Sequence, residues 1–113
     1  MSELSKKKCI PCSGEIPAFS EEEIKSYIVK LKDWSYKKND QNHFYLSKDF
    51  KFKNFLESLS FINKVSEIAE NEGHHPDLKF GWGYANVVIS THAINGLAES
   101  DFVLAAKIDE ISV

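Results

Sequence analysis

Three of the four histidines fall within one stretch of the chain, residues 70–101, as His74, His75 and His92. An imidazole can accept or donate a proton near neutral pH because its reference pKa is about 6.5. The chain has no arginine, and this stretch has a single lysine, Lys79. A site rich in titrating groups and poor in fixed positive charge favours proton transfer on a small, largely uncharged substrate. It argues against the binding of phosphate or nucleic acid.

A catalytic imidazole needs an orienting partner, and two carboxylates lie near the histidines in the sequence. Glu70 precedes His74 by one helical turn, and Asp101 lies in the first turn of the last predicted helix. Each carboxylate also has a purely structural interpretation. The helix dipole favours a carboxylate at a helix start, so Asp101 could equally cap a helix whose N-cap residue, Ala98, lacks a side-chain oxygen. Glu70 could equally be a solvated helix residue.

Three histidines also raise the hypothesis of a zinc site. The spacing disfavours it, because adjacent His74 and His75 would both have to bind one ion and the sequence has no H-E-x-x-H motif. We therefore predict no metal. Cys9 and Cys12 form a C-I-P-C pair without a second pair, and we interpret them as reduced thiols, with a zinc or disulfide role as the weaker alternative. The fourth histidine, His43, is predicted at a solvent-facing strand position and is given no role.

Length and composition place these residues in one small domain. The chain has 113 residues, 42% of them hydrophobic and 27% charged, with a formal net charge of −3, as in an ordinary globular protein. No apolar run is long enough to cross a membrane. The polar, Lys-rich start is unlike a secretory signal, so a cytoplasmic location is expected. We predict an irregular N-terminal arm over residues 1–18 and a single domain over residues 19–113.

Hydrophobic periodicity predicts the elements that must position the histidines. Ser20 and Glu23 form a capping box that opens the first helix, which is predicted to end near Lys32. Alternating runs around the turn at 39–42 predict a hairpin, and residues 50–71 and 99–111 predict two more helices. A second hairpin at 78–92 ends with His92 near the strand terminus. Hairpin connections imply an α+β fold: a four-stranded antiparallel sheet with three helices on one face, in the order α-β-β-α-β-β-α.

This architecture can bring the imidazoles together. The loop after the long middle helix and the mouth of the second hairpin can meet at one rim of the sheet, so we expect His74, His75 and His92 to converge on one cleft. The middle helix also carries an apolar stripe that Phe61 and Ile68 make wider than one sheet face needs. A subunit interface and a thick local core explain this stripe equally well.

The spacing of the site residues resembles the signature of the pterin-4a-carbinolamine dehydratases. The matching pattern is Glu70, three residues, His74-His75-Pro76, five residues, Trp82, nine residues, His92, eight residues, Asp101. The resemblance covers roughly residues 20–112, and the C-I-P-C-S-G, G-W-G-Y and A-A-K-I-D segments look like a bacterial-type branch. It implies a lyase that removes water from a 4a-hydroxytetrahydropterin, left by an aromatic amino acid hydroxylase, to give the quinonoid dihydropterin in pterin recycling. It implies no metal or organic cofactor.

The resemblance also implies residue roles. His74 and His92 look like the principal acid–base pair, His75 resembles the residue that positions the pterin, and Asp101 resembles the residue that supports the histidines. These four are the predicted catalytic residues, and we assign His92 as the acid on the leaving hydroxyl. The implied substrate-binding residues are Gly73, His74, His75, Pro76, Ser90, Thr91, His92 and Ala93, with Glu70 in support.

Three departures from the family pattern bear on affinity rather than on reaction class. Leu78 stands where some members have tryptophan. Ala93 replaces a glutamate that follows the last histidine in some members, and Ala98 replaces a serine or threonine at the start of the last helix.

Two other functions compete with the dehydratase. Animal members of the family also act as dimerisation partners of a homeodomain transcription factor, so a non-catalytic dimerisation or binding module is the main alternative. The joint presence of three histidines favours the enzyme. A zinc hydrolase is the third hypothesis. We expect a pterin substrate, a homodimer or homotetramer, a functional link to an aromatic amino acid hydroxylase, and no nucleic acid or membrane partner.

Overall fold

The structure is a computed structural model that describes residues 4–7 and 17–111 of the chain. Its helices are α1 (Glu21–Ile28), α2 (Phe55–Glu72) and α3 (Glu99–Asp109), and its strands are β1 (Ser35–Lys38), β2 (Phe44–Lys51), β3 (Asp77–Gly81) and β4 (Tyr84–Ile89). Two short 3₁₀ turns lie at Leu4–Lys6 and His92–Ile94. The predicted α+β class and the predicted order of helices and strands are confirmed.

The strands form one antiparallel sheet in the order β1-β2-β4-β3. Leu46 of β2 pairs with Ile89 of β4, so the chain leaving β4 passes beside the turn that precedes β2. Alternate residues of β4, namely Ala85, Val87 and Ile89, are buried, as a period of two predicts for one face of a strand. The sheet order therefore puts two segments that are far apart in sequence at one rim.

Helix α3 runs through the core rather than over its surface. Its buried residues are Ser100, Asp101, Phe102, Val103, Leu104, Ala105, Ala106 and Ile108. Eight of its eleven residues are buried, so most of its surface is covered by other elements. This explains why the carboxylate of Asp101, in the first turn of α3, is fully removed from solvent.

The start of α2 differs from the prediction. Helical spacing indicated a start at Phe50, whereas Phe50 pairs with Ala85 inside the sheet and α2 begins at Phe55. The ring centroids of Phe50 and Phe52 lie 4.4 and 5.1 Å from that of Phe61, so packing against α2 favours the extended strand. Asn54 then caps α2, because its side-chain oxygen accepts the backbone N–H of Glu57 at 2.9 Å.

The ends of the other helices were predicted too late. Helix α1 has the predicted capping box of Ser20 and Glu23, but it ends at Ile28 rather than near Lys32. The residues after it form a tighter turn, in which Leu31 donates its backbone N–H to Ile28, and Asp33 takes a left-handed backbone with φ of 61°. Helix α3 ends at Asp109, two residues before the predicted end.

The apolar stripe of α2 is only partly covered within the subunit. Phe61, Ile62, Val65 and Ala69 are buried, whereas Phe55 and Leu56 remain 45% and 72% exposed. A thick local core therefore accounts for the C-terminal part of the stripe. A subunit interface over its first turn stays a prediction.

Residues 4–7 pack against α3. Leu4 is buried, and the backbone oxygen of Ser5 accepts a hydrogen bond from Lys107 Nζ at 2.8 Å. Lys7 Nζ lies 3.1 Å from Glu99 Oε2, and the Tyr27 hydroxyl donates to the same oxygen at 2.9 Å. The division into an arm and a domain stays a prediction, and Cys9 and Cys12 lie outside the described residues.

Among residues 4–7 and 17–111, no helix has both the length and the apolar character that a membrane crossing requires.

Candidate active site

Asp101 lies at the centre of the candidate site. Its Oδ1 is 2.7 Å from His74 Nε2. Its Oδ2 accepts the hydroxyl of Thr91 at 2.8 Å and the backbone N–H of Ala98 at 2.9 Å. The side chain of Asp101 has no exposed surface. One oxygen of Asp101 therefore caps α3 and the other contacts a histidine, while its role in orienting a catalytic imidazole stays a prediction.

The end of α2 brings His74 to this carboxylate. Gly73 closes α2 in a left-handed conformation with φ of 65°, which glycine adopts at little cost. The chain turns there, and the backbone N–H of His74 bonds to the oxygen of Ala69 at 3.2 Å. The side chain of His74 is only 17% exposed.

The end of β4 brings Thr91 to the same carboxylate. An isolated β-bridge joins Thr91 to Gly96, with a bond of 2.8 Å from the Thr91 N–H to the Gly96 oxygen. A side chain at Gly96 would not fit, because an added Cβ would lie 2.8 Å from the Cβ of Ala18. This closed loop holds the Thr91 hydroxyl towards Asp101 and carries the next residue, His92, at its surface.

The contact between Asp101 and His74 bears on which tautomer of His74 is useful. An ionised carboxylate only accepts hydrogen bonds, so a neutral His74 that donates from Nε2 to an ionised Asp101 has Nδ1 as its proton acceptor. A fixed tautomer with one free basic nitrogen is what a histidine needs to act as a general base.

His75 lies in a different environment. Its Nε2 is in close hydrogen-bond contact with Glu70 Oε2. The two side chains are 61% and 76% exposed. Glu70 therefore contacts His75, and not His74 as its helical spacing suggested.

His92 opens the 3₁₀ turn His92–Ile94 and is exposed. It lines a cleft of about 120 Å³, which we call the turn cleft. One wall comes from the β1–β2 turn and the first residue of β2, namely Asn39, Gln41, His43 and Phe44. The other wall follows β4 and consists of Ser90, Thr91, His92, Asn95 and Gly96.

The predicted site residues thus divide into three groups. His74, Thr91 and Asp101 are joined by hydrogen bonds, while Ser90, Thr91 and His92 line the turn cleft. His75 and Glu70 pair on the surface, Ala93 is exposed, and Pro76 is half-buried in the loop after α2. Among the described residues that line the turn cleft, neither His74 nor His75 appears. The roles assigned to all of these residues stay predictions.

His43 is the residue that the sequence interpretation missed. It was predicted at a solvent-facing strand position, and this was wrong. It is half-buried in the turn before β2, across the cleft from His92. The strand order was the missing information, because only the neighbouring positions of β2 and β4 bring His43 near the end of β4.

No group of three or more His, Cys, Asp or Glu side chains is arranged to hold a metal ion within the described part of the chain. The zinc hypothesis therefore has no ligand set among those residues.

The described residues thus form a small α+β domain in which a buried aspartate contacts a histidine at the rim of the sheet. A family model described as pterin 4 alpha carbinolamine dehydratase matches residues 17–111. The chain belongs to this family.

Relatives and solved structures agree with this assignment. A protein of Rubrobacter xylanophilus named "Putative pterin-4-alpha-carbinolamine dehydratase" is 47% identical over 98% of this chain and 100% of its own length. A relative of the same name in Alkaliphilus metalliredigens is 49% identical over 97% of this chain and 96% of its own length. The crystal structure of a transcriptional coactivator/pterin dehydratase from Brucella melitensis is similar with a TM-score of 0.72 and 28% identity, over 80% of this chain and 94% of that one.

A second solved structure shows the same fold alone. It is a pterin dehydratase-like protein identified as a RuBisCO assembly factor in the alpha-carboxysome, with a TM-score of 0.58 and 23% identity. The match covers 69% of this chain and 87% of that one.

Proposed function

We propose that the protein removes water from a 4a-hydroxytetrahydropterin to give the quinonoid dihydropterin. The observation that carries this proposal is the position of Asp101. One oxygen of Asp101 bonds to His74, and the other bonds to Thr91, which directly precedes His92 in the chain. One imidazole is thereby bound to the buried carboxylate, and the other belongs to the residue that follows a second partner of that carboxylate. The dehydratase names of the full-length relatives support the same reaction.

The reaction needs two proton movements. The C4a–O bond breaks, and the hydroxyl leaves as water after it receives a proton. The proton on N5 is lost, and its electron pair forms the new C=N bond. The product is therefore the substrate less one molecule of water, with no change in oxidation state and no other reactant.

The two histidines suit these two movements in different ways. His92 is exposed at the turn cleft and can exchange protons with solvent, so we assign protonated His92 as the acid on the leaving hydroxyl. His74, with its Nε2 proton directed at Asp101, offers Nδ1 as the base for the N5 proton. After each turnover His92 has lost a proton and His74 has gained one, and exchange with water restores both. A positioned acid or base contributes roughly 10²- to 10⁴-fold in rate.

His92→Ala provides the direct test. Substrate is generated in situ by a pterin-dependent hydroxylase, and formation of the quinonoid dihydropterin is followed by absorbance. We expect wild-type turnover well above the spontaneous rate and a loss of roughly 10²-fold or more in the variant. Since His92 is exposed, circular dichroism and the urea midpoint should be unchanged.

Glu67→Gln is the matched control. Glu67 is an exposed carboxylate on α2 with no assigned role, and its substitution should leave turnover unchanged. Wild-type turnover no faster than the uncatalysed dehydration would refute the enzymatic proposal, and full activity in His92→Ala would refute the role of that residue. Recycling of the pterin for a hydroxylase in the cytoplasm is part of the same proposal.

A binding function has one observation in its favour. Phe55 and Leu56, at the start of α2, are 45% and 72% exposed, and exposed apolar side chains next to each other are typical of association surfaces. This surface would serve a homodimer or homotetramer of the enzyme equally well. Dehydratase turnover separates the two functions, because a module kept only for binding would have none.

A further inference from the structure

Lys107 is a partly buried cation on α3 that the proposed reaction does not use. Its side chain is 19% exposed, and its Nζ lies 3.8 Å from Glu72 Oε2. The same Nζ donates a hydrogen bond of 2.8 Å to the backbone oxygen of Ser5. Lys107 thus joins α3 both to the end of α2 and to residues 4–7, which we call the N-terminal turn.

The end of α2 favours a nearby cation for electrostatic reasons. A helix carries partial negative charge at its C-terminus, where cations are stabilising. The last turn of α2 has no basic residue and contains two carboxylates, Glu70 and Glu72. Lys107 supplies a cation to this end from the neighbouring helix. Because the side chain of Glu72 is only 16% exposed, salt screens this contact less than a contact on the open surface.

The contact of Lys107 with Glu72 lies next to the buried pair of the candidate site. Only Gly73 separates Glu72 from His74 in the chain, and Lys107 lies on the same helix as Asp101. The end of α2 is therefore bound to α3 at two points, once through His74 and Asp101 and once through Glu72 and Lys107. Two contacts restrict the rotation of one segment against another more than a single contact does.

The N-terminal turn restrains Lys107. Leu4 is 4% exposed and belongs to the hydrophobic core cluster, so the turn is anchored in the core. The Ser5 hydroxyl is in close hydrogen-bond contact with Glu110, the residue that caps the end of α3. The backbone oxygen of Ser5 is thereby held where it accepts the Lys107 ammonium, which limits the conformations of a long, flexible side chain.

The position of His74 must be precise if this residue is to accept a proton. A general base must come within about 2.6–3.2 Å of the atom that carries the proton. A displacement of about 1 Å that originates far from the reacting atoms can lower a rate roughly 10²-fold. Movement of the end of α2 away from α3 would take His74 Nε2 away from Asp101, and the tautomer of His74 would no longer be restrained.

We propose that Lys107 is a positioning residue for the dehydration. Its ammonium, restrained by the N-terminal turn, joins the end of α2 to α3 and keeps His74 on Asp101 with Nδ1 as the proton acceptor. Lys107 acts through Glu72 and touches no reacting atom. This inference rests on the proposed function. The N-terminal turn lies outside residues 17–111, the part of the chain that the family model matches.

The first test measures the tautomer of His74. Lys107→Met removes the charge and the N–H donors and keeps an unbranched side chain, whereas Lys107→Arg keeps a charge and donors. Imidazole nitrogen NMR shifts are recorded above the imidazole pKa, and the His74 signals are identified by their loss in His74→Ala. We expect wild type to show a single tautomer protonated on Nε2. In Lys107→Met the signals should move towards those of a mixture of tautomers, and Lys107→Arg should retain the wild-type signals.

Turnover of a 4a-hydroxytetrahydropterin provides the second test. Lys107→Met should lower kcat about 10-fold and change KM little, because the substrate still binds while the base is displaced. Lys107→Arg should keep most of kcat. Unchanged His74 signals in Lys107→Met, or a raised KM with an unchanged kcat, would overturn the inference. A loss of stability in urea without these changes would also overturn it, because a purely structural lysine affects stability alone.

Leu4→Ala tests the contribution of the N-terminal turn. It should move the His74 signals in the same direction as Lys107→Met but by a smaller amount, since Lys107 keeps its contact with Glu72. Wild-type signals in Leu4→Ala would overturn the part assigned to the turn. Lys25→Met is the matched control, because it makes the same chemical change at an exposed lysine of α1. It should alter neither the His74 signals nor turnover.

The proposed function fails separately from this inference. Wild-type turnover no faster than the spontaneous dehydration would refute the dehydratase. His74 signals that still moved in Lys107→Met would then support the positioning of His74 by Lys107 without that reaction.

Discussion

Two adjacent histidines each pair with a carboxylate, and the two pairs lie in opposite environments. In the pair of His74 with Asp101 the side chains are 17% and 0% exposed. In the pair of His75 with Glu70 they are 61% and 76% exposed. The residues are neighbours in the sequence and make the same kind of contact, but only the first pair is removed from water.

This difference in exposure determines how much each histidine–carboxylate contact contributes to stability. An exposed ion pair competes with water and salt, and its net contribution is about 0–1 kcal/mol. Water cannot replace a lost hydrogen-bond partner of a buried carboxylate, so the loss of any such partner costs free energy of folding. Asp101 accepts three such bonds, from His74, Thr91 and Ala98. The buried pair therefore holds its two side chains in one arrangement, whereas the exposed pair restrains its side chains only weakly.

Removal of the two carboxylates should give the largest contrast. Asp101→Ala leaves the Thr91 hydroxyl and the Ala98 N–H without their acceptor, and we expect it to lower the free energy of unfolding by about 3–5 kcal/mol. Glu70→Ala should change it by less than about 0.5 kcal/mol, as exposed substitutions do. Urea denaturation followed by circular dichroism measures both. Similar losses of free energy of unfolding in the two variants would show that burial does not determine how much each carboxylate contributes to stability.

Double-mutant cycles measure the pairs themselves, with a smaller effect. Alanine replaces His74 and Asp101 singly and together, and likewise His75 and Glu70. We expect a coupling free energy of about 1.5–3 kcal/mol for the first pair, typical of a hydrogen bond to a charged group. For the second pair we expect about 0–1 kcal/mol. The cycle separates each contact from other effects of its substitutions.

High salt gives the cycles an internal control. Added salt should reduce the coupling of His75 with Glu70 and leave that of His74 with Asp101 nearly unchanged, because buried groups are screened less. A weaker coupling free energy for His74 with Asp101 than for His75 with Glu70 would contradict the expectation that burial strengthens the contact.

The sequence predicted the elements but not which histidine is buried. Turn residues between alternating runs define the hairpins, so the order of helices and strands follows from local patterns. The burial of His74 depends on α3, which begins 25 residues further along the chain at Glu99 and is mostly buried. Neighbouring His74 and His75 carry no local signal that tells them apart.

The misassigned residues show the same limit. Phe50 fits a helix as well as a strand by spacing, and its pairing with Ala85 of β4 places it in the sheet. His43 looked like a surface residue because a hairpin pattern gives the partner of each strand within the hairpin and not the next strand in the sheet. In contrast, the capping contact of Asp101 could be predicted, because its place in the first turn of α3 and the missing side-chain oxygen of Ala98 are visible in the sequence.

A third carboxylate, Glu99, extends the comparison of buried and exposed carboxylates, and its substitution should have the smallest effect on stability. Its side chain is 38% exposed, between Asp101 and Glu70. The hydrogen bonds from Lys7 and then from Tyr27 lower the pKa of Glu99 below its usual value of 4.5, and the bond to Glu99 raises the pKa of Tyr27. Because the pKa of Glu99 is lower in the folded state, its contribution to stability is fully present above the unfolded pKa and is lost as the pH falls through the folded pKa.

Glu99→Gln should therefore lower the free energy of unfolding by less than about 0.5 kcal/mol at neutral pH, since solvent screens a partly exposed pair. Urea denaturation at neutral and acidic pH should show this difference shrinking on acidification. If the difference in free energy of unfolding between wild type and Glu99→Gln grew as the pH fell, the pKa of Glu99 would be raised on folding. Partial exposure would then not give a contribution to stability between those of Asp101 and Glu70.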